Sequence, residues 1–152
     1  MVRDFRRDDQ AVVEALIQAG MRERWGVTFD PAANPDVADL WANYVALGAD
    51  ADADVVVVEV GGRVAGTGTL VSVDDRAGRI RRMSVDPAHR RRGIARTVVA
   101  DLVDRADRRG LRRVVVRTDT PWFDAAALYR SCGFEIEAQD EAETDLVLLL
   151  GS

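Results

Sequence analysis

The chain has 152 residues, 47% hydrophobic and 31% charged, with 21 basic against 26 acidic side chains and a net charge of −5. That length suits one domain, residues 1–152, around one substantial core, and the acidic balance disfavours nucleic acid as a partner. A single cysteine (Cys132) and a single histidine (His89) exclude an internal disulfide and cannot furnish an ordinary zinc site, so no metal is expected. Every basic residue is an arginine. Without lysine there is no Walker-type phosphate loop and no Schiff-base chemistry. The charged start MVRDFRRDD has no signal-peptide core, and the LVLLL run near the other end is far too short for a membrane span. A cytoplasmic location with no membrane partner is the expectation.

In chain order, Val2 to Phe5 read as a short strand. Asp8 or Asp9 then caps a helix over AVVEALIQAGMRERW. Residues 26–35 carry two prolines and a glycine and read as loop. DVADLWANYVAL predicts a second helix, capped by Asp36 and ended near Gly48. DADADVVVVEV, GGR and VAGTGTLVSV predict a hairpin, with Gly66 and Gly68 inside the second strand marking a bulge or a close backbone approach. DDRAG is the next turn, and RIRRMSV a strand that stops before Pro87. Ala95, Val98, Val99, Leu102, Val103 and Ala106 make one apolar helix face, closed by Gly110. LRRVVVRT is a strand, WFDAAALYRSC a short helix ending at Gly133, and FEIEA and TDLVLLL are closing strands. This order implies an α/β fold, a mixed sheet with helices on both faces.

Between residues 79 and 96 there are seven arginines and a single acid, Asp86. A strand, a proline turn, His89-Arg90-Arg91-Arg92 and a glycine opening a helix make a device for anions. The first N–H groups of a helix have no internal partners, and its dipole places partial positive charge there. Gly93 lets backbone approach a ligand, and Ala95 keeps the next position small. A phosphate or pyrophosphate is the expected occupant. The letters RRRG alone fit a solvated arginine strip equally well.

Context decides between the two. The stretch Arg90-Arg91-Arg92-Gly93-Ile94-Ala95 after RMSVDP resembles the Arg/Gln-x-x-Gly-x-Gly/Ala signature of the GCN5-related N-acetyltransferase (GNAT) superfamily. ALYRSCGF, residues 127–134, resembles that family's second signature, with one helix and one strand between the two. The resemblance runs from about residue 55 to 150 and implies a mostly antiparallel central sheet of about six or seven strands, with the fourth and fifth splayed. It implies acetyl-coenzyme A as acyl donor, its pyrophosphate held by backbone N–H groups from Arg91 to Arg96. The pantetheine arm would pair with the edge of Met83, Ser84 and Val85 like an added strand. The implied activity is acetyl transfer to an amine of a small molecule or protein, by direct attack in a ternary complex. A homodimer is compatible with the sequence, which does not call for one.

Such a transfer needs a neutral amine, a polarised thioester carbonyl and a proton for the departing thiolate. A backbone N–H of Val85 or Met83 would polarise the carbonyl. Tyr129, a phenol with an ordinary pKa of roughly 10, would be the acid. Two positions depart from the family pattern. Arg79 stands where many members carry a glutamate base, and Trp122 stands where an asparagine is frequent. Arginine cannot act as a base, so Glu59, Asp119 and Asp124 are nominal substitutes. A non-catalytic acyl-coenzyme A-binding sensor or subunit is the alternative that Arg79 favours. His89 reads as a loop residue and Cys132 as a small buried hydrophobe. The acids Asp50, Asp52, Asp54, Glu135, Glu137, Asp140 and Glu141 would suit a cationic acceptor only if they lay beside the site.

Overall fold

The computed structural model describes residues 1–26, 30, 32–46 and 53–151. The quadruple valine of β2 (Ala53–Val60) explains the layering. Val56 and Val58 point into one apolar cluster and Val55 and Val57 into another, so this strand is covered on both faces. It lies between β1 (Val2–Asp4) and β3 (Arg63–Ser72), and β4 (Ala77–Val85) follows. β5 (Arg113–Asp119), β6 (Glu135–Gln139) and β7 (Glu143–Leu149) complete a seven-stranded sheet in the order β1-β2-β3-β4-β5-β7-β6. Among the described strands only β4 and β5 run parallel. The expected mixed, mostly antiparallel sheet is present. Asp50 and Asp52 lie outside the described residues.

Helix α1 (Gln10–Trp25) covers one face over β3 and β4, and α3 (Ile94–Arg108) covers the other. The periodicity of α3 holds, with Ile94, Val98, Val99, Leu102 and Ala106 buried. Gly110 ends it at φ 78°, its N–H donating to Asp107 O while Leu111 N–H donates to Ala106 O. That is a Schellman closure. The two strand glycines allow close approach, as expected. A Cβ on Gly68 would stand 2.5 Å from Met83 Sδ, and one on Gly66 2.7 Å from Ile94 Cγ2.

Two expectations are corrected. Asp9 does begin α1, but its side chain caps no helical N–H; it accepts from Arg3 at 2.8 and 2.9 Å and from Arg6 N at 2.7 Å. The helix expected from Asp36 is broken: α2 spans only Pro35–Ala38, and a π-helical turn follows over Trp41–Val45. Asp36 is drawn inward rather than left to cap. It accepts from Arg82 at 3.0 and 2.9 Å and from the Tyr44 hydroxyl at 2.6 Å.

This pair matters to β4. Arg82 and Met83 together oppose Gly68, a bulge in which Arg82 takes φ 55°. Left-handed backbone is costly for arginine and persists where surroundings fix it; here Asp36 does so. Burial works against the charge on Asp36, yet the hydrogen bonds from Arg82 and Tyr44 hold its carboxyl below the usual 3.8. Its contribution is therefore fully present above that value and is lost as pH falls through the lowered one. Asp36→Ala is expected to cost about 1–3 kcal/mol and to remove that acid limb, which thermal melts along a pH series will read.

Candidate active site

β4 and β5 pair only where Ala77, Gly78 and Arg79 oppose Arg113, Val114 and Val115. Beyond, β5 stays with β7 along its whole length while β4 stays with β3 and bends at its bulge. The strands splay, as expected, and a cavity of about 930 Å³ fills the gap. Its β4 shore is formed by residues that include Met83, Ser84 and Val85. Asp86 N–H donates to Ala65 O of β3 at 2.8 Å. By the alternation of an extended strand, the N–H groups of Val85 and Met83 face the opposite way, into the gap. Unpaired edge amides are what an extended amide-bearing arm could use.

At one end the cavity meets the arginine loop. Asp86 caps a short turn, accepting from Ala88 N at 2.9 Å. Arg91 (φ 63°) and Gly93 (φ 76°) are both left-handed and swing the chain into α3. Thr97 N–H is bonded to Gly93 O at 3.0 Å, whereas Ile94, Ala95 and Arg96 occupy the first turn, whose donors have no intrahelical carbonyl. A Cβ on Gly93 would meet nothing within 4 Å, so the mouth is open. Arg90, Arg91, Gly93, Ile94, Ala95 and Arg96 line the cavity, and Arg92 does not. The Arg90 guanidinium is engaged by Glu23 of α1, one bond being 2.7 Å, and Arg96 reaches Ser131 O at 3.4 Å. Arg91 and Arg92 are exposed and make no ion pair among the described residues.

The end of α1 therefore touches both shores. Beyond Glu23, the Arg24 guanidinium lies 4.4 Å over the Trp122 ring, and Trp25 meets Trp122 at 4.9 Å between centroids. Trp25 Nε1 donates to Asp119 at 3.1 Å. Trp122 lines the cavity as a bulky apolar wall.

Tyr129 lies on α4 (Phe123–Ser131), 4% exposed, at the cavity wall. The second signature has a mechanical meaning. Phe134 N–H donates to Tyr129 O and Gly133 N–H to Arg130 O, both at 3.0 Å, with Gly133 at φ 97°. This is again a Schellman closure, and the hydrophobic contact that accompanies it is the edge-on pair of the Tyr129 and Phe134 rings at 5.5 Å. Burial pushes the Tyr129 phenol far above its ordinary 10.0, against a smaller lowering by Arg24. Burial disfavours the phenolate and so keeps this hydroxyl protonated at neutral pH, a hydrogen-bond donor at the cavity wall.

The remaining charged candidates are scattered. Arg79 lies in the paired part of β4 and lines a separate recess of about 180 Å³ with Arg113 and Arg117. Glu59 is held by Arg3 at 2.6 Å and does not line the cavity. Asp54 pairs with Arg109 at 2.7 Å, and Glu135, Asp140 and Glu141 are exposed at β6 and the turn after it. Glu137 borders the smaller recess. Among cavity-lining carboxylates, Glu23 is tied to Arg90, leaving Asp124 without an ion pair among the described residues. Sequence reasoning missed Glu23, Arg24 and Thr118, all at the cavity. Nothing in a helix or strand pattern marks them.

The profile of the acetyltransferase (GNAT) family matches residues 12–134. Human N-acetyltransferase 8B is 30% identical over 123 residues, 78% of this chain and 53% of that protein. The chain spans about half the length of the curated relatives it matches. Among solved structures, an acetyltransferase from Streptococcus agalactiae superposes with a TM-score of 0.84 at 15% identity, covering 99% of this chain and 98% of that one. YncA, a putative acetyltransferase from Salmonella typhimurium solved with acetyl-CoA, gives 0.78 at 19% identity, covering 100% and 94%. No helix among the described residues is long and apolar enough to cross a membrane. With two signatures flanking one splayed strand pair and a profile match over most of its length, this chain belongs to the acetyltransferase (GNAT) family.

Proposed function

We propose that the chain transfers an acetyl group from acetyl-coenzyme A to an amine by direct attack within a ternary complex. One observation carries this: parallel strands that part after three residue pairs, with a cavity between them running to the first turn of α3. The residues suit that donor. The gap-facing amides of Met83 and Val85 fit a pantetheine arm, and the open donors of Ile94, Ala95 and Arg96 fit a pyrophosphate. The Arg91 and Arg92 side chains add charge from outside, while Arg90 braces the loop against α1. The amine nitrogen bonds to the thioester carbon, the carbon–sulfur bond breaks, the thiolate takes the Tyr129 proton, the amine loses a proton to water or a carboxylate, and the Tyr129 phenolate regains a proton from water as the products leave. Products are an N-acyl amine and a free thiol.

Register supports a view of the acceptor. Arg79 and Arg81 of β4 share a sheet face with Arg113 and Arg117 of β5, and of these Arg81 and Arg117 line the main cavity. Arg117 is paired with Asp145 and Glu143, whereas Arg81 makes no ion pair among the described residues, so we favour an amine that also carries an anionic group for Arg81 to hold. The test is an amine panel with acetyl-coenzyme A, scored for thiol release. Turnover with tightest selection for carboxylate-bearing amines is expected, and Arg81→Gln should narrow that preference. Coenzyme A binding without turnover of any amine would favour the sensor reading. Gly93→Asp places a side chain and a negative charge in the open mouth. Calorimetry should show coenzyme A affinity falling at least about tenfold, roughly 1.4 kcal/mol, in a variant that stays folded although its left-handed backbone lowers the Tm.

A further inference from the structure

We propose that the Thr118 hydroxyl is a catalytic donor to the thioester carbonyl oxygen, from the shore opposite the β4 amides. The inference rests on the acetyl-transfer reading above. Thr118 is 8% exposed on β5, on the face whose other members, Val114 and Val116, are apolar core. Its Oγ1 is buried and has no hydrogen-bond partner, and the residue lines the cavity. Two other buried threonines are satisfied: Thr67 Oγ1 donates to Val56 O at 2.9 Å, and Thr144 Oγ1 sits 2.8 Å from Thr120 Oγ1 and 2.9 Å from Gln139 Nε2. Buried hydroxyls are expensive to leave unpaired, and valine offers the same shape without that cost. A hydroxyl aimed into a ligand cavity, from a wall otherwise apolar, gains its partner with the ligand.

Position says which part of the ligand. Arg79 opposes Val115 in the last parallel pair. Counting on along both strands sets Thr118 across the gap from the Arg82–Met83 bulge, where an inward N–H is available. Tyr129 lines the same cavity. An oxygen between these shores receives an N–H from β4 and an O–H from β5, two fixed donors at the atom where negative charge develops as the amine adds. The charge returns to the carbonyl when the carbon–sulfur bond breaks, so Thr118 neither gains nor loses a proton.

The experiment compares Thr118→Val, Thr118→Ala and Thr118→Ser with wild type, using acetyl-coenzyme A with the best acceptor and free coenzyme A as the carbonyl-free control. Expected is a fall of about 10- to 100-fold in kcat for Val and Ala, near-complete rescue by Ser, unchanged coenzyme A affinity and an unchanged or raised Tm for Val. Wild-type kcat in either hydroxyl-free variant overturns the proposal. So does equal weakening of coenzyme A and acetyl-coenzyme A at unchanged kcat, which would make the hydroxyl a contact to the arm alone. Failure of wild type to acetylate any amine is a different result and sinks the acetyl-transfer reading itself.

Discussion

Tyr129→Phe is expected to slow acetyl transfer by on the order of 10²-fold or more, with coenzyme A affinity and Tm close to wild type. The ring carries the packing: it meets Phe134 at 5.5 Å and closes α4 through a backbone bond that phenylalanine keeps. Only the hydroxyl is lost, and with it the proton that the proposed mechanism gives to the departing thiolate. The loss should appear in kcat rather than in binding. Burial holds the phenol above its ordinary value, so in wild type the acid is present through the neutral and mildly alkaline range and fails only as pH rises through the raised value. Pre-steady-state thiol release under saturating donor is the measurement. Wild-type kinetics in the variant would reduce Tyr129 to the packing role that its Schellman closure explains by itself.

The rate is also expected to climb nearly tenfold per pH unit with an alkylamine acceptor. For an amine with a pKa of roughly 10.4, the neutral fraction at physiological pH is about 10⁻³ to 10⁻⁴. Few groups at the cavity can raise it. Arg79 stands outside the cavity, Glu59 is held by Arg3, and Glu23 is held by Arg90, which lowers its carboxyl below the usual range. Tyr129 keeps its proton over the same window, so no alkaline fall cuts the climb. A kcat/KM profile with one good acceptor reads the slope. A plateau well below the amine's own pKa would identify a base, and Asp124 is the carboxylate to test first: if Asp124→Asn then restored the slope, Asp124 would be that base. An α-amino or aryl amine, with a lower pKa, should show the same limb displaced to lower pH.

The parts of this site that depend on local chemistry were legible before folding was considered. An apolar stripe at helical spacing after Gly93, a glycine that can turn the chain at φ 76°, and first-turn donors without partners are properties of neighbouring residues. So is the Tyr–Gly–Phe end of α4, where the spacing that resembles a family signature is also the spacing a Schellman closure requires. The valine run of β2 read as a hairpin strand, and its burial on both faces came only with the fold. Where reading failed, a distant partner outbid a local preference. Asp36 has the composition of a helix cap, yet Arg82, far along the chain, offers it two hydrogen bonds and draws it inward. Asp9 is claimed likewise by Arg3. Arg79 looked decisive by position in the chain, and the register of β4 with β5 sets it before the splay instead. Thr118 carries no sequence signal at all. A threonine in a β-branched strand is ordinary until the tertiary structure parts that strand from its neighbour and leaves one buried hydroxyl facing the space between them.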